Sequence, residues 1–119
     1  MGKTEDQSRY TTWAEEIKKQ FNKTFYDDTK KSYSTGSQTA LAMPLCVGLV
    51  EESNREAVFN TLNETLKKEN YALTAGDVGF HYLVSALSEG GFSESLYRMI
   101  NRDDVPGYGY QLAKGATAL

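Results

Sequence analysis

The stretch Ser34-Thr-Gly-Ser-Gln-Thr-Ala-Leu-Ala-Met-Pro-Leu-Cys-Val-Gly-Leu-Val50 opens as a polar loop and then, from Ala40, places apolar side chains on nearly every face. A helix on a protein surface confines its apolar residues to one stripe, so a helix apolar all round belongs to an inner layer. Its neighbours differ. Before it, Trp13, Ile17, Phe21 and Phe25 recur every four positions among Glu15, Glu16, Lys18, Lys19 and Lys23, which predicts a helix over about 12–26 with one buried stripe. After it, Ser53-Asn-Arg-Glu56 has the form of a capping box, and Val58, Phe59, Leu62 and Leu66 stripe an otherwise polar helix that ends near Lys67-Lys68. Pro44 removes a backbone donor inside the central run, which predicts a kink or a helix that starts late.

The alternation continues. Phe80, Tyr82, Leu83, Val84, Ala86 and Leu87 make a second helix apolar on most of its surface, over about 78–88, with its stop at Gly90-Gly91. A fifth helix follows from a Ser93 cap through Leu96, Tyr97, Met99 and Ile100. With no period-two stretch long enough to argue for a strand, the chain reads as all-α, built of helical hairpins. Three loops rich in Gly and Thr, at Thr35–Thr39, Thr74–Gly79 and Pro106–Tyr110, are spaced like those of helix-pair repeats. Two directly precede an apolar helix. If the third precedes one starting near Ala116, all three lie at one end of a curved inner layer, the geometry of a sector of an (α/α)6 toroid. A closed small bundle is the structural rival. Residues 1–119 form one unit in either case, with residues 1–11 as candidates for disorder.

Composition narrows the chemistry. Thirteen Lys and Arg against sixteen Asp and Glu give a net charge of −3, no footprint for a nucleic-acid partner. Met1–Asp6 has no apolar run of a signal peptide, and no window approaches a membrane span. One histidine and one cysteine provide neither a common zinc site nor an internal disulfide, and Cys46 reads as a buried, inert thiol. His81, near the start of an inner helix, reads as a buried hydrogen-bonded histidine, with a ligand contact as the alternative. Asp77 reads as the N-cap of that helix, or else as a partner for a sugar hydroxyl. Tyr108, at the expected loop tip, offers a flat ring for a pyranose to stack on, while Tyr110 reads as packing. Asp103-Asp104 are too close in sequence to flank a glycosidic bond, and solvation accounts for them.

Taken in order, Phe21-Asn22 to Phe25-Tyr26, Thr35-Gly-Ser-Gln-Thr-Ala40, Leu45 to Gly48-Leu-Val50, Leu73-Thr-Ala-Gly-Asp-Val-Gly79 with Tyr82-Leu83, Leu87-Ser-Glu89, Pro106-Gly-Tyr-Gly-Tyr110 and Gly115-Ala-Thr117 form a specific set. From Trp13 to Leu119 the chain resembles the later part of the helical catalytic domain of bacterial α-L-rhamnosidases. The resemblance implies an (α/α)6 barrel that hydrolyses terminal α-L-rhamnosides with inversion, without a cofactor, using one glutamic acid and one basic glutamate. It also implies that the acid belongs to a motif well upstream and the base follows the Gly-Ala-Thr phrase beyond Leu119, so the chain alone is expected to be inert. Glu51, Glu52, Glu89 and Glu94 match neither motif. Relatives often carry Thr-Thr-Gly at the place of Thr74-Ala-Gly76 and a tryptophan at the place of Tyr108. The implied substrate-binding candidates are Tyr108, Asp77 and His81, the implied partner a rhamnose-containing glycan or glycoside, and export of a parent protein stays open. The alternatives are a non-catalytic helical module that binds a sugar or a protein, and a toroidal glycosidase or lyase for another sugar. Self-association through the apolar edges of a cut toroid is a further expectation.

Overall fold

The computed structural model describes residues 3–117. Among them are six helices, α1 (Thr4–Phe25), α2 (Gln38–Cys46), α3 (Glu52–Lys68), α4 (Asp77–Glu89), α5 (Ser93–Asn101) and α6 (Tyr108–Ala113). Between α1 and α2 lies a short hairpin of β1 (Tyr26–Asp27) and β2 (Ser32–Tyr33), antiparallel, with Tyr26 opposite Tyr33. The hairpin has no period-two signature because each strand is two residues long. Asp27 closes it instead, its Oδ1 accepting from the amides of Thr29 (3.0 Å) and Lys30 (3.1 Å).

Helices α2 and α4 pack against each other most extensively, with α3 and α5 behind them and α6 beyond α5. Leu41 and Leu45 of α2, Leu62 and Leu66 of α3, Leu83 and Leu87 of α4 and Met99 of α5 are all buried in this seam. Each such side chain contributes about 1.5–3 kcal/mol by leaving water. One polar pair is built into the seam: Ser95 Oγ donates to Asn63 Oδ1 at 2.6 Å, joining α5 to α3. The inner and outer assignment of the four central helices is therefore as the apolar patterns predicted.

Several local expectations are corrected. Helix α1 starts at Thr4 rather than near Thr12, and three members of its apolar stripe are exposed rather than buried, Trp13 at 52%, Ile17 at 62% and Phe25 at 45%, while Phe21 is half-buried against the core. Helix α2 does not begin late at Pro44. It starts at Gln38, where Ser37 Oγ accepts from the Ala40 amide, and ends two residues past the proline, with the Val47 amide bonded to the Met43 carbonyl. The capping box at Ser53 is absent, because α3 is already helical there and its N-cap position is Glu51. Ser93 and Asp77 are likewise first helical residues rather than caps; Phe92 and Gly76 hold the cap positions, without a side-chain cap bond. The Gly90-Gly91 stop is as expected, closed by the Phe92 amide on the Leu87 carbonyl at 2.8 Å. The third loop is itself the start of helix α6. Ala116 and Thr117 are not helical, and the rest of the helix expected from Ala116 lies outside the described residues.

Candidate functional site

The three Gly and Thr loops meet at the N-terminal ends of α2 and α4, and Gln38 ties the first to the second. Its side chain is wholly buried. Nε2 donates to Glu69 Oε2 at 2.6 Å and to the Ala72 carbonyl at 2.7 Å, while Oε1 accepts from the amides of Thr74 and Ala75, both at 3.2 Å. A carboxamide has two N–H donors and two acceptor lone pairs, so this one is fully used. Thr74 Oγ1 adds a bond to Glu69 Oε2 at 3.3 Å. Next to Gln38, Thr39 lies directly against Gly79, where a Cβ would stand 2.1 Å from Thr39 Oγ1. The first loop thus sets the place of the second.

The third loop joins through aromatic packing. Tyr108 rests on Phe80 of α4 with ring centroids 5.2 Å apart and planes tilted by 56°. It is the first residue of α6, half-buried, rather than a free loop tip. Gly109 allows this placement, because a Cβ there would come within 2.4 Å of the Arg102 carbonyl oxygen. Arg102 is fixed in turn: its Nε donates to Asp104 Oδ1 at 2.6 Å and its Nη1 donates to the Asn70 carbonyl. That guanidinium holds the Asp104 carboxyl below the usual range, which makes Asp104 a structural partner of Arg102. Tyr110, expected to pack, is half-buried and lies under Lys114 Nζ at 5.3 Å from its ring centre.

Asp77 and His81 are one turn apart on α4, hence on one face. Both are exposed, which corrects the reading of His81 as a buried histidine. Phe80, which carries Tyr108, is the residue before His81, so the three predicted residues surround the first two turns of α4. The arrangement offers a carboxylate and an imidazole on the first turns of α4 and a phenol ring from α6 packed on Phe80, residue types able to hydrogen-bond hydroxyls and present an aromatic face to a sugar. Sequence reading missed Gln38. Its one signal was a polar residue in register with Leu41 and Leu45 at the head of an apolar helix.

Other features carry different meanings. Cys46 is half-buried rather than buried; that burial pushes its thiol up, and Sγ donates to the Tyr82 carbonyl at 3.2 Å. A cleft of 390 Å³ between α1 and α2 has apolar walls, including Phe21, Phe25, Met43 and Val47, which suit a packed side chain better than a pyranose. Among the described residues no group of three His, Cys, Asp or Glu could hold a metal ion, and no helix is long and apolar enough to cross a membrane.

Alternating inner and outer helices with glycine-bearing loops gathered at one end define a helical-hairpin domain of the toroidal class. More particularly, residues 1–119 match the bacterial alpha-L-rhamnosidase 6 hairpin glycosidase domain, and the chain belongs to that family. It is 27% identical over its whole length to an α-L-rhamnosidase of Formosa agariphila, of which it covers 13%, and 26% identical over 96% of its length to one of Streptomyces avermitilis, of which it covers 11%. The solved α-L-rhamnosidase structure from Dictyoglumus thermophilum superposes on 99% of the chain with a TM-score of 0.88 at 34% identity, the chain covering 14% of it. That from Aspergillus terreus superposes on 94% with a TM-score of 0.85 at 29% identity, the chain covering 13%. The chain therefore spans about an eighth of the length of these relatives.

Proposed function

We propose that this chain is the sector of an α-L-rhamnosidase catalytic domain that presents sugar-binding loops, in an enzyme that hydrolyses terminal α-L-rhamnosides with inversion. Tyr108 stacks against the sugar ring, and Asp77 and His81 hydrogen-bond its hydroxyls. The observation that carries this reading is the convergence of all three loops around the first turns of α4, with those three side chains on its rim. Neither the acid nor the base comes from this chain. Glu51, Glu89 and Glu94 pair with Lys18, Arg55 and Arg98, a surface role, and an inverting pair needs carboxyls about 6.5–9.5 Å apart across a bound glycoside. The isolated chain accordingly binds rhamnosides weakly and does not hydrolyse them.

The test is an NMR titration of the chain with methyl α-L-rhamnoside. Shift changes at the amides of Gly76–Tyr82 and of Tyr108, absent with methyl α-D-glucoside, are the expected result. Equal responses to both sugars would point to a toroidal glycosidase of another specificity, and silence at all of these amides would defeat the assignment.

A further inference from the structure

Gln38 has no place among the proposed sugar contacts, yet it is the most completely bonded side chain in the loop cluster. Its four partners sit on a single segment, Glu69 to Ala75, 31 to 37 residues downstream. Between the two groups that Nε2 grips, the chain passes through Asn70 and Tyr71, both in left-handed backbone with φ of 53° and 57°. A bulky residue holds that conformation only where its surroundings impose it. Beyond the strained turn, Oε1 takes the amides of Thr74 and Ala75, and Gly76 and Asp77 follow at once as the cap and first residue of α4.

We infer that Gln38 is a positioning residue: through its four hydrogen bonds it fixes the path of Glu69–Ala75, and so the direction in which Asp77 and His81 are presented. Its consequence for sugar binding rests on the function proposed above; the lock on the loop does not. Gln38 itself touches no ligand. Removing a buried polar partner leaves the others unpaired, so the segment relaxes toward whatever conformation lets water reach them.

The test compares Q38M and Q38E with the parent chain by two readouts, amide exchange protection and the Kd for methyl α-L-rhamnoside from NMR. Q38M fills the space without polar atoms. Protection at Thr74 and Ala75 is expected to fall tenfold or more and the sugar Kd to rise about tenfold, with the Leu41 and Leu83 amides unchanged as a control on folding. Q38E keeps the acceptor but sets a carboxylate against Glu69, the titratable side chain bonded to this amide. Two carboxylates in contact raise one pKa, and protonating one rebuilds a shared hydrogen bond. In Q38E, protection factors at Thr74 and Ala75 should therefore rise as pH falls from 7 to 5, while those of the parent chain stay flat. A side chain that merely fills volume predicts no such pH response. Unchanged protection in Q38M, or a flat pH profile in Q38E, overturns the lock. Lost protection with an unchanged Kd overturns its role in positioning. Lost protection in Q38M, with a parent chain that binds no rhamnoside, supports the lock and instead defeats the sugar-contact assignment.

Discussion

A methyl group on Gly79 would stand 2.1 Å from Thr39 Oγ1 and 3.0 Å from Thr39 Cγ2, so it meets both branches of the threonine. G79A should cost roughly 1–3 kcal/mol by overpacking, despite the better helix propensity of alanine. Urea unfolding measures this, and adding T39A to the same chain should recover most of the loss, because the two sites share one contact. A second residue-scale outcome concerns alkaline pH. Tyr33 is buried in the hairpin, stacks on Phe21 with centroids 5.5 Å apart and donates its hydroxyl to Asn22 Oδ1. Burial, with the charges of Tyr26 and Glu51 adding to it, pushes the phenol up to about 12 from 10.0. The unfolded chain then loses its proton first as pH rises. This contribution is complete below pH 10 and is lost between pH 10 and about 12, amounting to roughly 2–3 kcal/mol. Y33F should start about 1 kcal/mol less stable through the lost hydrogen bond and show a smaller fall in urea midpoint between pH 9 and 12.

Helix α1 is held at one end. Asn22 Nδ2 donates to the Leu49 carbonyl at 2.7 Å, Lys18 faces Glu51 at 3.7 Å, and no α1 residue is buried. Its first turns are supported by their own side chains, Asp6 with Arg9 at 3.0 Å and Tyr10 edge-on to Trp13 at 5.6 Å. Deleting residues 1–10 should therefore change the unfolding free energy of the remainder by less than about 0.5 kcal/mol in urea titration. The same contrast explains what was legible in the sequence. Apolar periodicity reports which face of a helix meets a neighbour, and it named the central helices and their layers. It does not report whether the neighbour is present, so the stripe of Trp13, Ile17 and Phe25 read as buried. Cap chemistry misplaced the start of α3, which begins at Glu52 just after the buried Val50, ahead of the serine that suggested it. At the third loop, glycine was read as a loop signal, whereas Gly109 serves close packing of α6 on the Arg102 carbonyl. The three residues around α4 were visible as types in a loop context, but the long-range bonds of Gln38 that fix the segment before α4, and the packing of Tyr108 on Phe80, were not.

At the scale of the molecule the shape is a slab, 55 × 40 × 22 Å, its thickness matching two layers of helices. The radius of gyration, 16.9 Å, exceeds the ~13.5 Å expected of a globular domain of this length. Along the slab, Trp13, Ile17, Val47, Val78 and Leu112 expose large apolar surfaces, as befits part of a six-hairpin shell. The chain should self-associate through them: the mass from light scattering should rise with concentration, and W13R/I17E should lower it. The central claim is that these residues form a loop-bearing sector that works only inside a complete catalytic domain. Its most direct measurement is to put this chain in place of the matching segment of the Dictyoglumus thermophilum enzyme, where the superposition reaches a TM-score of 0.88, and to assay an aryl α-L-rhamnoside beside the isolated chain. The account predicts hydrolysis by the chimaera and none by the chain alone. Turnover by the chain alone, or a folded chimaera without hydrolysis, would contradict it.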